Sequence, residues 1–172
     1  MKKTVLVIVG LVIAAYIVGL FSTQKIQTEI NIAASSNDVW NHLVEFNHYP
    51  EWNPLIRDLS GPLTEGGQLH MTIQVQGGDA MDFEAELLVV KKDQELRWLG
   101  GFLIPGLFDG EHYFIIEEIS DEEVRLVHGE KYRGILPMLL LSTIEPGNRQ
   151  GFEAMNEALK NRVEAKLAET RG

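Results

Sequence analysis

Alternating apolar and polar side chains predict that most of this chain is β-sheet. From Ile26 to Ile32 every second residue can face a core, which is the period of a half-buried strand, and we expect this strand at a sheet edge. The same alternation predicts strands over 69–75 and 83–89 joined by a turn at Gly77, Gly78 and Asp79. Further strands over 96–99, 112–119 and 124–132 give six or seven in total.

Helical spacing appears at two places in the same region. Cap residues from Ser35 to Asp38 precede a short apolar stripe, and the prolines at 50 and 54 limit a second short helical piece over 47–54. Near the carboxyl end apolar residues recur every three or four positions, which predicts an amphipathic helix of about six turns. Pro146 and Gly151 mark its predicted start. These elements predict an α+β fold in which a curved antiparallel sheet surrounds one long terminal helix.

The first 23 residues predict a membrane anchor or an uncleaved signal. Val5 to Phe21 carry no charge, and a helix over 4–22 approaches the roughly 30 Å thickness of the hydrocarbon layer. A cleaved signal peptide is the alternative, but residues 19–23 lack the A-x-A pattern of a cleavage site. Lys2 and Lys3 favour a cytoplasmic amino terminus. We therefore expect a single-pass anchor over 1–23 and an extracytoplasmic domain over 24–172.

Charge and composition exclude several classes of function. The 172 residues carry a formal net charge of −10, which argues against nucleic-acid binding because the phosphate backbone favours Lys and Arg. Cysteine is absent, so disulfides and thiolate metal sites are excluded. No H-E-x-x-H, G-x-S-x-G, P-loop or G-x-G-x-x-G pattern occurs, and we expect neither a metal nor a cofactor.

Four segments resemble one known superfamily. Val39-Trp40 followed by residues 46–54 is similar to the opening motif of the SRPBCC superfamily, the START, pollen-allergen and polyketide-cyclase-like helix-grip proteins. Residues 106–114, 128–134 and 151–160 are similar to three later landmarks of its cyclase/dehydrase branch. The resemblance covers roughly residues 25–168 and implies a seven-stranded sheet gripping the terminal helix around an apolar cavity. Family members bind lipids, isoprenoids or polyketides there, sometimes with catalysis.

The last predicted hairpin places chemistry-bearing residues opposite each other. If it closes at residues 120–122, His112 faces Glu130, Phe114 faces His128, and Ile116 faces Leu126, all on one sheet face. A His–Glu pair inside an apolar cavity could orient a ligand or act as an acid and base. The alternative is that these groups satisfy one another or reach solvent at the cavity mouth.

Aromatic and apolar segments suggest how the cavity is walled. Five aromatic residues are able to contact a flat hydrophobic ligand: Trp40, Trp52, Trp98, Phe114 and Tyr132. Large aromatic residues in short helices and strands are, however, more often core. The apolar segment from Ile135 to Ile144 predicts a lid that, with residues 102–108, forms the cavity mouth and touches a bilayer. Core packing at the sheet edge is the alternative for both segments.

The sequence therefore predicts a membrane-tethered domain that binds a hydrophobic small molecule, lipid or isoprenoid-like, for carriage or sensing. An enzyme of the polyketide cyclase or dehydratase kind, with His112 and Glu130 as acid and base, is the first alternative. An accessory domain that binds other proteins is the second. The residues expected to contact the ligand are Trp98, His112, Phe114, His128, Glu130 and Tyr132.

Overall fold

The computed structural model describes residues 2–74, 78–101, 104 and 106–171. Val75 and Gly77 of the predicted first hairpin, and Phe102, Leu103 and Pro105 of the predicted mouth, lie outside these ranges. The helices are α1 (Lys2–Phe21), α2 (Ser36–Val44), α3 (Tyr49–Trp52) and α4 (Ile135–Arg171), with a 3-10 turn at Phe46–His48. The strands are β1 (Thr23–Ile32), β2 (Ile56–Ser60), β3 (Gln68–Ile73), β4 (Met81–Lys91), β5 (Glu95–Gly101), β6 (Asp109–Ser120) and β7 (Glu123–Arg133).

The seven strands form one curled antiparallel sheet around α4, so the predicted α+β helix-grip architecture is confirmed. Their order is β1-β7-β6-β5-β4-β3-β2, which places β1 at an edge as predicted. The apolar stripe of α4 supplies Phe152, Met155, Leu159 and Val163, each at most 3% exposed, to the core between helix and sheet. The acidic residues of β4, Asp82, Glu84 and Glu86, are exposed on the opposite face of the sheet.

The first short helix begins where the sequence predicts, and the second predicted piece, over 47–54, is a 3-10 turn followed by α3, which ends at Trp52. The Ser35 hydroxyl accepts a hydrogen bond from the Asp38 backbone N–H, and the Asp38 carboxylate accepts one from the Ser35 backbone, which completes a capping box. Val39, Trp40 and Leu43 of α2 are buried, and the Tyr49 hydroxyl of α3 donates to the Leu43 carbonyl at 2.8 Å. The two helices are thereby joined at one end of the sheet.

The start of the terminal helix corrects the prediction. The helix begins at Ile135 rather than at Pro146 or Gly151, and Pro146 lies inside it. Proline has no N–H to donate to the carbonyl of Ser142, so one helical hydrogen bond is missing there. The helix continues because residues on both sides of the proline pack on the same core, Leu141 before it and Phe152 after it. Packing thus outweighs one lost bond.

The amino-terminal helix is long and apolar enough to cross a membrane. Within α1, Gly19 is its buried residue, and the Gly134 N–H donates to the Gly19 carbonyl at 3.1 Å. A side chain at Gly19 would place its Cβ 2.6 Å from the backbone nitrogen of Ile135. The carboxyl end of α1 therefore packs closely on the junction between β7 and α4.

Candidate functional site

Three rows of residues cross the sheet and face α4. The register between β6 and β7 pairs His112 with Glu130, Phe114 with His128, and Ile116 with Leu126, so the predicted hairpin register is confirmed. The rows are defined by extending the pairs Phe114–His128, His112–Glu130 and Gly110–Tyr132 across β5 and β4. The first row contains Leu96, Phe114 and His128; the second contains Leu87, Trp98, His112 and Glu130; the third contains Ala85, Gly100, Gly110 and Tyr132.

A cavity of about 450 Å³ lies between the third row and α4. Three neighbouring strands contribute small residues, Ala85, Gly100 and Gly110, to its wall. A Cβ built on Gly100 meets Glu84 O at 3.6 Å and Ala85 Cβ at 3.8 Å, which are ordinary van der Waals contacts. The glycine therefore leaves space that a larger side chain would fill, and the volume suits a small organic molecule.

The lining is mostly apolar and has a polar patch at one place. Leu55, Met71, Phe83, Trp98 and Phe108 contribute apolar surface from the sheet side, and Ile144 and Phe152 contribute it from α4. His112, Glu130, Tyr132 and Asn148 also line the cavity. None of the described lining residues is Lys or Arg.

A buried hydrogen-bonded chain runs from His112 into the core. His112 Nε2 lies 2.9 Å from His128 Nε2, and His128 Nδ1 lies 2.7 Å from Asn156 Oδ1. The Asn156 amide donates to the Thr28 hydroxyl at 2.9 Å, and that hydroxyl donates to the His128 carbonyl. Complete burial, together with a nearby His112 charge, holds the pKa of His128 well below its usual range.

These contacts fix the tautomer of neutral His128 and the position of one proton of His112. Because Asn156 Oδ1 can only accept, the proton of neutral His128 is on Nδ1, and its Nε2 is an acceptor. The proton between the rings therefore belongs to His112 Nε2, which donates to His128. His112 Nδ1 is left directed toward Glu130, whose Oε2 lies 3.8 Å away. His128 thus orients the ring that reaches the cavity.

Glu130 is held on its other side by Tyr132. The Tyr132 hydroxyl donates to Glu130 Oε2 at 2.7 Å and accepts from the Asn148 amide at 2.7 Å. Burial, and next the charge of Glu130, raise the pKa of Tyr132, so this hydroxyl keeps its proton. Gly110 makes room for the carboxylate, because a Cβ there would collide with Glu130 Oε1. The side chain of Glu130 is thereby fixed in the cavity wall.

The structure brings all six predicted contact residues into one cluster but at two depths. Trp98, His112, Glu130 and Tyr132 line the cavity. Phe114 and His128 are fully buried behind them, stacked with 4.4 Å between ring centroids. Trp98 stacks on His112 at 4.8 Å and 6° between planes. Whether these residues bind a ligand stays a prediction.

Sequence reasoning missed the two asparagines of α4. Asn156 follows Met155 and lies four residues after Phe152, so it is a polar residue on the apolar stripe of the helix, a signal present in the sequence. Asn148 gives no such signal, because the helix was expected to begin near it. Among the residues that the structure describes, no three His, Asp or Glu side chains form a candidate metal site.

Comparisons with known proteins agree on the fold. A family model described as "Polyketide cyclase / dehydrase and lipid transport" matches residues 23–164. No curated protein sequence matches the chain.

Several solved structures are similar over most of their length. The Zhui aromatase/cyclase from Streptomyces sp. R1128 has a TM-score of 0.71 at 12% identity, covering 85% of this chain and 96% of that one. A START superfamily protein from Mycobacterium smegmatis has a TM-score of 0.67 at 20% identity, covering 82% and 97%. Norcoclaurine synthase from Thalictrum flavum has a TM-score of 0.65 at 16% identity, covering 84% and 96%. At these identities the likeness shows the fold alone.

Proposed function

The chain belongs to the polyketide cyclase/dehydrase and lipid transport family, and from that premise we propose that it binds a hydrophobic small molecule in the cavity beside α4 for carriage or sensing. The observation that carries the proposal is the cavity itself, about 450 Å³ in volume and walled mainly by apolar side chains. An apolar space of this size is empty only at a cost in lost packing, and an apolar ligand recovers that packing.

We further propose that residues 1–23 anchor the protein in a membrane and that residues 24–172 form the ligand-binding domain outside the cytoplasm. The uncharged helix α1 and the lysines that precede its apolar stretch support this arrangement. The expected result is that the chain stays in the membrane fraction at high salt and that protease added outside intact cells degrades the domain. Release by salt, or protection of the domain, would contradict the arrangement.

Contacts of α1 support ligand uptake from the same membrane. Leu20 packs where a side chain at Gly106 would be, and the neighbouring Leu107 carbonyl accepts from the Leu136 N–H at the start of α4. Phe108, one residue farther, lines the cavity. The anchor therefore ends beside one wall of the cavity.

Apolar residues are exposed in this same region. Ile104, Leu139 and Leu140 are 57%, 64% and 46% exposed, and Leu139 lies one helical turn after Ile135, which contacts α1. Apolar surface exposed next to a membrane anchor is suited to contact the bilayer. We expect Leu139→Ser together with Leu140→Ser to slow exchange of a bound lipid with vesicles, whereas Leu99→Ser, an exposed leucine on β5, leaves the rate unchanged. Equal rates in all three proteins would refute the contact.

The direct test of the proposed function is to identify what the cavity holds. The full chain is purified from membranes in detergent, extracted with organic solvent and analysed by mass spectrometry. We expect a hydrophobic molecule that co-purifies with the wild type and is depleted from the Gly100→Val variant, in which the cavity wall is filled. The same molecules in both proteins at equal amounts would identify them as detergent-phase lipids and overturn the proposal.

A second candidate function is catalysis of a cyclase or dehydratase kind. One observation favours it: His112 and Glu130 both reach the cavity, and the buried His128 and Asn156 orient His112 from behind. An oriented imidazole beside a carboxylate is the arrangement that acid–base chemistry uses. If the protein is an enzyme, His112→Ala abolishes turnover of the co-purifying molecule or its precursor while leaving its binding within a few-fold. Unchanged turnover would exclude this role for His112.

A further inference from the structure

Three side chains at the polar end of the cavity each donate a hydrogen bond to a partner within the protein. The His112 Nε2–H donates to His128, the Tyr132 hydroxyl donates to Glu130, and the Asn148 amide donates to Tyr132. The Glu130 carboxylate also lines the cavity, and its two oxygens can accept further hydrogen bonds besides the one from Tyr132. A ligand group that donates a hydrogen bond can therefore be accepted by Glu130 at this end of the cavity.

The charge of Glu130 also selects among the ligand groups that can enter this end of the cavity. Glu130 brings a negative charge to the lining, and the cationic side chains nearest to it in sequence, Lys131 and Arg133, alternate to the other face or lie exposed. Lys131 is paired with Glu111 at 3.1 Å outside the cavity. A carboxylate or phosphate group in the cavity would therefore lie beside Glu130 with no Lys or Arg among the described lining residues.

We infer that the ligand class is a neutral hydrophobic alcohol or phenol, whose hydroxyl donates to Glu130, and not a fatty acid or phospholipid. The inference rests on the proposed function, because it names the ligand of the same cavity. The apolar part of such a molecule packs against Phe83, Trp98 and Phe152, and the hydroxyl donates a hydrogen bond to Glu130 in addition to the one that Tyr132 donates. An acid binds more weakly because its own negative charge would be buried in the cavity without a cationic partner, and burying an unpaired charge costs more free energy than losing one apolar contact.

A competition between two molecules that differ in the end group tests this inference. The full chain is reconstituted in nanodiscs of uncharged phosphatidylcholine and incubated with equal amounts of retinol and retinoic acid. The nanodiscs are repurified, the bound molecules are extracted and quantified, and the amounts in protein-free nanodiscs are subtracted. We expect the wild type to retain the alcohol over the acid by about tenfold or more.

Two variants connect the preference to the cavity. Glu130→Gln removes the charge with little change in shape, and we expect the alcohol-to-acid ratio to fall about tenfold. Glu117→Gln removes a carboxylate of β6 that is exposed and paired with Arg125 outside the cavity, and we expect the wild-type ratio. The wild-type ratio decides the question even if Glu130→Gln fails to fold.

The possible failures are distinguishable. Retention of both molecules in equal amounts, or retention of the acid in preference, overturns the ligand class but leaves a hydrophobic ligand in the cavity. A ratio that is the same in Glu130→Gln and the wild type also overturns it. Retention of neither molecule above the protein-free nanodiscs overturns the ligand class and the proposed function together.

Discussion

Filling the cavity wall at Gly100 should stabilise the protein and weaken ligand binding at once. Gly100 is the last residue but one of β5, opposite Ala85 and Gly110, and it lines the cavity without a side chain. The substitution Gly100→Val adds three carbon atoms there. Because the new Cβ finds its nearest neighbours at 3.6 and 3.8 Å, the strand accepts it without displacement.

The size of the stabilisation follows from two contributions. Replacing glycine inside a strand removes a cost of about 0.5–1 kcal/mol in chain entropy. Burying the added methyl groups contributes up to about 0.8 kcal/mol each, reduced because the cavity leaves part of their surface without contacts. We expect the free energy of unfolding to rise by about 1–2 kcal/mol, which for a chain of this size raises Tm by about 4 °C.

Ligand binding should change in the opposite direction. The added side chain occupies space that an apolar ligand needs, and overpacking by a few carbon atoms costs about 1–3 kcal/mol, or a tenfold or greater loss of affinity. Thermal unfolding of the ligand-free full chain in detergent measures the first effect, and the retinol retained in nanodiscs measures the second. The two measurements use the same purified protein.

Leu99→Val is the matched control. Leu99 is the neighbouring residue on β5, is 40% exposed, and faces away from the cavity, so the control introduces valine into the same strand without filling the wall. We expect it to change stability by less than about 0.5 kcal/mol and to leave retinol retention unchanged. A Tm for Gly100→Val below the wild type, or wild-type retention of retinol, would refute the account of how the cavity arises.

Two further predictions concern His128 and its neighbour on β7. Burial keeps His128 neutral in the folded protein, so below about pH 6.5 the unfolded chain binds a proton that the folded chain does not. The free energy of unfolding therefore decreases as the pH is lowered, by up to about 1.4 kcal/mol per pH unit. Urea unfolding between about pH 7.5 and 5.5 measures this slope, and an equal slope in His128→Gln would contradict it. Gly129→Ala should cost about 2–3 kcal/mol in the same assay, because the new Cβ would lie 2.5 Å from both the Ile26 carbonyl oxygen and the Tyr113 hydroxyl. If the Gly129→Ala protein were as stable as Gly100→Ala, the neighbours of the new Cβ would have moved aside at no cost in free energy, and the prediction would be wrong.

The part of the site that lies within one hairpin was predictable from the sequence. Once the turn at residues 120–122 is located, counting outward pairs His112 with Glu130, because antiparallel register is fixed by the closing turn. The hydrogen bond between His112 and His128 was not predictable. It depends on side-chain rotamers and on Asn156, which approaches from a helix distant in sequence.

The cavity was beyond sequence reasoning for a different reason. Ala85, Gly100 and Gly110 face it from three strands, and their alignment depends on the registers of two strand pairs. The register between β4 and β5 shifts between Leu87 and Val89, so counting from the turn does not give it. The long α4 was missed because proline is a local signal, whereas the packing that carries the helix through Pro146 comes from the sheet.

The bonds of Asn156 also determine the rotation of α4 about its own axis. Beside a cavity, side chains do not interlock, so packing alone specifies the rotation of a helix weakly. Asn156 adds directional contacts, to His128 on β7 and to Thr28 on β1. A shift of one residue turns the helix by about 100° and leaves these buried groups unpaired, at a cost of about 1–3 kcal/mol each. The face that α4 presents to the cavity is therefore the same whether the cavity is filled or empty, and a ligand meets a wall that is already oriented.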